Sequence, residues 1–178
     1  MVVFSPIRAT SHPHWAFLIE CYEVSFPINE RRPIEALESL LRKTNFSCNV
    51  LVKNEEPVGL FFSWHLGEFR YIEHFAIASN FQRQNLGKTA LRTFLTQSAL
   101  PVILEVEPPD AELARQRIRF YEQEDFVLNQ TVFVQPPYSS QQKTVELRLM
   151  EWGGKLLERE FESIKSTLYR QVYKYVKQ

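Results

Sequence analysis

Three apolar segments separated by very short turns constrain the fold of this chain more than any other feature. Residues 49–53, 58–64 and 69–77 have the composition of strands, and turns at residues 54–57 and near Gly67 separate them. Connections this short join antiparallel neighbours, because a parallel pair needs a crossover of a dozen residues or more. The sequence therefore predicts a three-stranded antiparallel meander.

Further strands and helices flank this meander. Read from the N-terminus, the other predicted elements are a strand at 2–4, helices at 15–24 and from Pro33 onward, a helix at 87–97, a strand at 101–107, a helix at 110–122, and strands at 127–134 and 145–150. The expected fold is α/β of the α+β type. We expect residues 1–152 to form one domain, with a mixed, mostly antiparallel central sheet that helices flank.

The end of the chain, residues 153–178, is predicted to be an amphipathic helix that packs on the same domain. Apolar residues recur there at spacings of four, three, four and four, at Leu157, Phe161, Ile164, Leu168 and Val172. This spacing places them on one face of a helix.

Charge and composition exclude several classes of function. The 178 residues include 21 Lys and Arg against 21 Asp and Glu, whereas a nucleic-acid binder needs clustered positive charge. No apolar run approaches the roughly 18–20 residues of a membrane-spanning helix, and the N-terminus lacks the apolar region of a signal peptide. Cys21 and Cys48 have no metal-ligand spacing and indicate core residues in a reducing compartment. We expect a cytoplasmic monomer or homodimer with no metal, nucleic-acid or membrane partner.

The segment where the last strand of the meander leads into a helix carries the most functional information. After Ile77 a polar loop begins, and a helix is predicted to start at Gly87. Unpaired N–H groups at a helix start, together with the helix dipole, bind anions. The triplet Gly87-Lys88-Thr89 suggests a nucleotide P-loop, but the glycine that this motif requires five residues earlier is Gln82 here. The P-loop interpretation therefore fails.

The same loop resembles the Q/R-x-x-G-x-G/A signature of the GCN5-related N-acetyltransferase (GNAT) superfamily. Gln82 takes the first position of this signature and Gly87 its second glycine-type position. Asn85 replaces the usual first glycine, and Thr89 stands where a small residue often follows. Asparagine tolerates left-handed backbone geometry better than most residues, so the shape of the loop can be kept.

Two later segments extend the resemblance to about residues 1–150. Residues 103–107 are similar to the Leu-Glu-Val strand of the family, and residues 120–126 to its Tyr-Glu-x-x-Gly-Phe helix end, with Asp125 at the glycine position. The Asn that commonly precedes this helix is absent, because Pro108-Pro109-Asp110 occupies the turn.

The resemblance implies an enzyme that transfers an acetyl or other acyl group from acetyl-CoA to a primary amine of a small molecule or peptide. The alternative is a non-catalytic CoA-binding or interaction domain that has kept the fold. The residues expected to hold the pantetheine arm in a gap between two strands, and then the pyrophosphate, are Phe75, Ala76 and Ile77, followed by Gln82, Arg83, Gln84, Asn85, Leu86, Gly87, Lys88 and Thr89.

The resemblance also implies catalytic residues. Tyr121 matches the tyrosine that acts as acid in the family, and Glu105 matches a glutamate that acts as base in some members. Glu73, on the neighbouring strand, is the rival base, and strict alternation would turn His74 to the opposite face. The residues expected to contact the acceptor lie in two loops and are Phe26, Arg31 and Tyr138, with Arg32 beside them.

Overall fold

The predicted meander forms the middle of a mixed sheet in the computed structural model, which describes residues 1–175. The strands are β1 (Val3–Pro6), β2 (Phe46–Lys53), β3 (Glu56–His65), β4 (Arg70–Ile77), β5 (Val102–Val106), β6 (Val127–Leu128), β7 (Phe133–Gln135) and β8 (Val145–Trp152). Their order is β1-β2-β3-β4-β5-β8-β6, and β7 also pairs with β8. The pair β4 and β5 is parallel, and the other neighbouring pairs are antiparallel. The predicted fold class is therefore confirmed.

Helices cover both faces of the sheet. They are α1 (Trp15–Ser25), α2 (Ile34–Leu40), α3 (Leu86–Thr96), α4 (Glu112–Glu122) and α5 (Leu156–Thr167). The apolar sides of α1, α2 and α5 share one buried cluster with residues of the sheet, and those of α3 and α4 share another on the opposite face. Burial of apolar area on both faces is the main contribution to the stability of such a layered fold.

The turn between β2 and β3 is a two-residue hairpin turn, in agreement with the predicted antiparallel meander. Its two central residues, Asn54 and Glu55, have φ values of 50° and 68°. Two left-handed residues between antiparallel strands match the right-handed twist of a hairpin.

The prediction of a single strand at residues 127–134 is wrong. The chain forms β6, leaves the sheet and returns as β7, and both short strands pair with β8. Between them the Asn129 side chain accepts a hydrogen bond of 2.9 Å from the backbone N–H of Thr131. Such a local side-chain bond competes with strand pairing.

The C-terminal helix is also less regular than predicted. It is interrupted at Glu160, and after Thr167 it continues as a π-helical turn, Leu168–Val172. Four of the five predicted apolar residues are buried and Phe161 is half-buried against the same cluster, which supports the proposal that residues 153–178 pack on the domain of residues 1–152. The last part of the predicted helix, from Val176, lies outside the described residues.

Other expectations concern single residues and absent features. Cys21 and Cys48 are buried free thiols, as predicted. Within residues 1–175, no helix has both the length and the apolar character needed to cross a membrane. In the same range no group of three His, Cys, Asp or Glu side chains is arranged to hold a metal ion.

Candidate active site

β4 and β5 pair only near their beginnings and then separate. Residues 70–72 of β4 pair with residues 102–104 of β5. Beyond these pairs lies a cavity of about 710 Å³, lined by residues 72–77 from β4 and 104–107 around the end of β5. We call this cavity the strand gap. The prediction of a gap between two neighbouring strands is confirmed.

A β-bulge lies at the point where β4 leaves β5. Phe62 of β3 pairs with His74, and the next residue, Ser63, pairs with Ile72. Glu73 is therefore the extra residue on β4. A bulge bends its strand and increases the local twist, so it contributes to the separation that opens the strand gap.

The bulge also overturns the prediction that Glu73 and His74 point to opposite faces. His74 packs edge-on against the rings of Tyr22 and Phe26, at 4.8 and 4.6 Å between centroids. Glu73 accepts a hydrogen bond of 2.7 Å from Trp64 Nε1 on the same face of the sheet. The prediction assumed strict alternation, and an inserted residue shifts that period by one.

The loop before α3 has the backbone geometry of an anion site. Arg83 and Asn85 have left-handed φ values of 61° and 59°, and Asn85 is the residue that precedes the helix. Among the residues that the structure describes, none provides an acceptor for the backbone N–H groups of residues 83–88. Gln82 closes the loop onto the end of β4, because its Nε2 donates to the Ile77 carbonyl at 3.0 Å. Consecutive free N–H groups at a helix start bind phosphate oxygens.

Gly87 lies beside the strand gap. A Cβ atom at this position would be 3.6 Å from Ile77 and 3.7 Å from the rings of Phe75 and Phe120, which are ordinary contact distances. These three neighbours line the cavity. The packing of the protein itself therefore leaves room for a side chain here.

The side chains at the end of the loop are used within the protein. Lys88 Nζ lies 3.1 Å from Glu124 Oε1. The backbone N–H and the hydroxyl of Thr89 both donate to the Asn85 carbonyl, each at 3.0 Å. Lys88 thus offers its backbone N–H to a ligand, whereas the N–H of Thr89 is already bonded.

Glu105 lies on β5 and its carboxylate receives a hydroxyl from the end of the chain. Tyr173 donates to this carboxylate, at 2.7 Å from Oε1 and 2.8 Å from Oε2. Burial raises the pKa of Glu105 to about 8, the hydroxyls of Tyr173 and Tyr71 oppose the rise, and the negative charges of Glu73 and Glu30 add to it. A carboxyl with this pKa exchanges its proton near neutral pH.

Glu73 has a different environment. Its side chain is 1% exposed and pairs with Arg32 Nη2 at 2.7 Å. Trp64 Nε1 and the Tyr138 hydroxyl also donate to it, at 2.7 and 2.9 Å. Burial alone would raise the pKa of Glu73, but the charges of Arg32 and His74 and these hydrogen bonds outweigh it and hold the pKa below its ordinary value.

Tyr121 lies on α4 and lines the strand gap. It packs in the apolar cluster on one face of the sheet, whereas Tyr173 packs in the cluster on the other face. Tyr121 is 7% exposed and packs against Phe120 and Phe126, at 5.1 and 5.5 Å between ring centroids. Burial raises its pKa to about 12, a rise that the charge of Arg117 opposes. The hydroxyl therefore keeps its proton at neutral pH.

The end of α4 fixes the position of Tyr121. Asp125 has a left-handed φ of 64°, as predicted, and its N–H donates to the Glu122 carbonyl at 3.1 Å. The N–H of Phe126 donates to the Tyr121 carbonyl, also at 3.1 Å. These two bonds form a Schellman motif, which ends the helix at a defined residue.

The residues predicted for the acceptor side are found in two places. Phe26 and Tyr138 line the strand gap. Arg31 lines a smaller pocket of about 340 Å³ and pairs with Glu23 at 3.0 Å. Arg32 is buried in the ion pair with Glu73.

Sequence reasoning missed Tyr173 and Trp64. Tyr173 donates to a candidate base that lies 68 positions away in the chain, and Trp64 donates to the other candidate base across the β3–β4 pair. No local pattern separates Tyr173 from Tyr169 and Tyr175 in the same segment.

Comparison with known proteins agrees with this geometry. The profile of the Acetyltransferase (GNAT) family matches residues 14–126, more than half of the chain. A structure from Bacteroides thetaiotaomicron that is assigned to the GNAT family has a TM-score of 0.91 and 34% identity, and the match covers 98% of this chain and 99% of that one. YjbC of Bacillus subtilis strain 168, assigned as an acetyltransferase, is 23% identical over 154 residues, which are 84% of this chain and 78% of YjbC.

The fold is also shared with a more distant protein. A GNAT-family acetyltransferase from Elizabethkingia anophelis, whose crystal structure contains acetyl-CoA, has a TM-score of 0.58 at 14% identity, over 84% of this chain and 96% of that one. The profile match and the structural match over nearly the whole chain show that this protein belongs to the GNAT family of acetyltransferases.

Proposed function

We propose that this protein is an acetyl-CoA-dependent N-acetyltransferase that acts on a primary amine of a small molecule or peptide. The observation that carries the proposal is the strand gap, because Gln82 of the loop before α3, Glu105 and Tyr121 all line it. A cofactor-binding loop, a titratable carboxyl and a protonated phenol around one cavity are the groups that acyl transfer to an amine needs.

The residues of the loop fit the cofactor. Backbone N–H groups of residues 83–88 have no acceptor among residues 1–175 and can receive a pyrophosphate, and the space at Gly87 lets the chain approach it closely. Beyond Ile72, β4 has no pairing with β5, so backbone groups around Phe75 and Ala76 are available for the pantetheine arm. Bound acetyl-CoA would supply an acetyl group attached to a sulfur leaving group.

Glu105 is the base in this proposal. An acceptor amine must lose a proton before it can attack, and a base works best when its pKa is near the working pH. The pKa of about 8 meets this condition for Glu105. Glu73 is the weaker candidate, because the charge of Arg32 and the hydrogen bonds from Trp64 and Tyr138 hold its pKa below its ordinary value.

Tyr121 is the acid. Its hydroxyl is protonated at neutral pH and lines the strand gap on the side of α4. It can donate this proton to a leaving group within the gap. Phe26 and Tyr138 line the acceptor side, whereas Arg31 lies outside the gap and has no part in this proposal.

The experiment is a binding and turnover assay on the purified protein. Acetyl-CoA at about 100 times its Kd should add roughly 2.7 kcal/mol to the free energy of unfolding and raise the Tm. Gly87→Glu should abolish this shift by placing negative charge against the pyrophosphate, whereas Gly87→Ala keeps the charge and is the matched control. An unchanged shift in Gly87→Glu would contradict the loop as the cofactor site.

Turnover is measured as thiol release and as acetylated product over a panel of amines. The Tyr121→Phe variant keeps the ring packing, so it should bind acetyl-CoA normally while turnover falls by about 10²–10⁴-fold. Binding without turnover for any amine would instead favour the alternative of a non-catalytic CoA-binding domain.

A further inference from the structure

The C-terminal segment, residues 156–175, contacts residues that line the strand gap through its last turn. The carbonyl of Val172 accepts a hydrogen bond of 2.8 Å from Arg32 Nη2. The ring of the next residue, Tyr173, packs on the ring of Tyr138 at 5.0 Å between centroids. Tyr173 is only 5% exposed. This segment lies outside the residues that match the family profile.

The hydroxyl of Tyr173 is part of a directed chain of hydrogen bonds. A phenol has one proton to donate, and Tyr173 donates it to the carboxylate of Glu105. The hydroxyl of Tyr71 lies 3.1 Å from that of Tyr173. Tyr71 must therefore be the donor in this second bond, and the chain runs from Tyr71 through Tyr173 to Glu105.

We propose that Tyr173 is a positioning residue for Glu105, whose carboxylate it orients and whose ionised form it favours. The C-terminal segment thereby forms part of the active site. The catalytic meaning of this contact rests on the proposed function, in which Glu105 is the base, but the contact itself does not.

The surroundings of Glu105 determine in which direction its pKa changes when the Tyr173 hydroxyl is removed. Burial raises its pKa most, Tyr173 from the C-terminal segment and Tyr71 on β4 lower it, and the carboxylates of Glu73 and Glu30 raise it. Without the Tyr173 hydroxyl, the hydrogen bond of 2.7 Å that it donates to Glu105 is lost. The pKa of Glu105 should then rise, and a smaller share of the carboxyl is ionised at neutral pH.

The test compares Tyr173→Phe with Tyr169→Phe. Tyr169 belongs to the same segment, but its hydroxyl donates to the Val134 carbonyl and not to Glu105. In protein labelled with ¹³C at the glutamate carboxyls, with Glu105→Gln to assign the signal, the Glu105 midpoint should rise by about one pH unit in Tyr173→Phe. It should stay unchanged in Tyr169→Phe, and Tyr71→Phe should give a smaller rise.

The pH profile of kcat/KM gives the second measurement. Its acidic limb should move to higher pH by the same amount in Tyr173→Phe. At pH values below the midpoint of the limb kcat/KM should therefore fall about tenfold, and at higher pH it should recover. An unshifted Glu105 midpoint, or a uniform loss of rate at every pH, would contradict the role of Tyr173. Persistence of the wild-type limb in Glu105→Gln would contradict Glu105 as the base, which is a separate failure.

Discussion

Glu73 and Glu105 lie on neighbouring strands and line the same cavity, yet their pKa values move in opposite directions. Burial pushes both pKa values upward. Glu73 has a cation, Arg32, at 2.7 Å, whereas the group that contacts the carboxylate of Glu105 at that distance is the neutral hydroxyl of Tyr173. The nearest charge, and not the depth of burial, decides which carboxyl can exchange a proton at neutral pH.

The comparison also assigns different roles to the two carboxylates. Glu73 joins β3, the loop before α2 and the loop before β8 through its bonds to Trp64, Arg32 and Tyr138. Because Arg32 in turn donates to the Val172 carbonyl, the ion pair helps to hold the C-terminal segment that carries Tyr173. We therefore interpret Glu73 as a structural residue that supports the surroundings of Glu105.

The largest expected difference between the two glutamates is in turnover. Glu105→Gln should lower kcat/KM by about 10²–10⁴-fold at the optimum and remove the acidic limb of the pH profile, because glutamine cannot take a proton. Glu73→Gln is the matched variant and should keep the limb. Loss of the limb in Glu73→Gln alone would reverse the assignment.

The second-largest expected difference between the two glutamates is in how the free energy of unfolding depends on pH. The pKa of Glu105 rises from 4.5 to about 8 on folding, so its contribution to the free energy of unfolding is fully present below pH 4.5 and is lost as pH rises through about 8. The loss is on the order of 5 kcal/mol. Glu73 has the opposite sign: with a lowered pKa, it stabilises above pH 4.5 and loses this contribution as the pH falls.

Urea unfolding between pH 5 and 8 measures this difference. The free energy of unfolding of the wild type, relative to Glu105→Gln, should decline steadily over this range. If the free energies of unfolding of the two proteins change in parallel with pH, Glu105 titrates normally in the folded state, and its pKa is not raised.

The smallest of the three effects is on stability at a single pH. Glu73→Gln leaves the buried Arg32 without its counter-ion, and breaking such a pair costs about 3 kcal/mol. Equilibrium unfolding at pH 7 measures it. A Glu73→Gln protein as stable as the wild type would mean that the ion pair contributes nothing net, and that the Arg32 contact to Val172 is sufficient by itself.

Local patterns in the sequence determined the meander, the start of α3 at the loop before Gly87, and the end of α4 at Asp125. Hydrophobic period and turn residues act over a few neighbours, so they can be read without knowledge of the fold. The break between β6 and β7 was missed because the side-chain bond of Asn129 competes with an otherwise apolar strand pattern.

Only the tertiary structure decided how the candidate site is arranged. The bulge that turns Glu73 and His74 to one face arises from the pairing of β4 with β3. The bonds that distinguish the two glutamates join residues far apart in sequence: 41 positions from Arg32 to Glu73, and 68 from Glu105 to Tyr173. A pKa depends on which charges and hydroxyls come within a few ångströms of a carboxyl, and at these separations the fold alone brings them there.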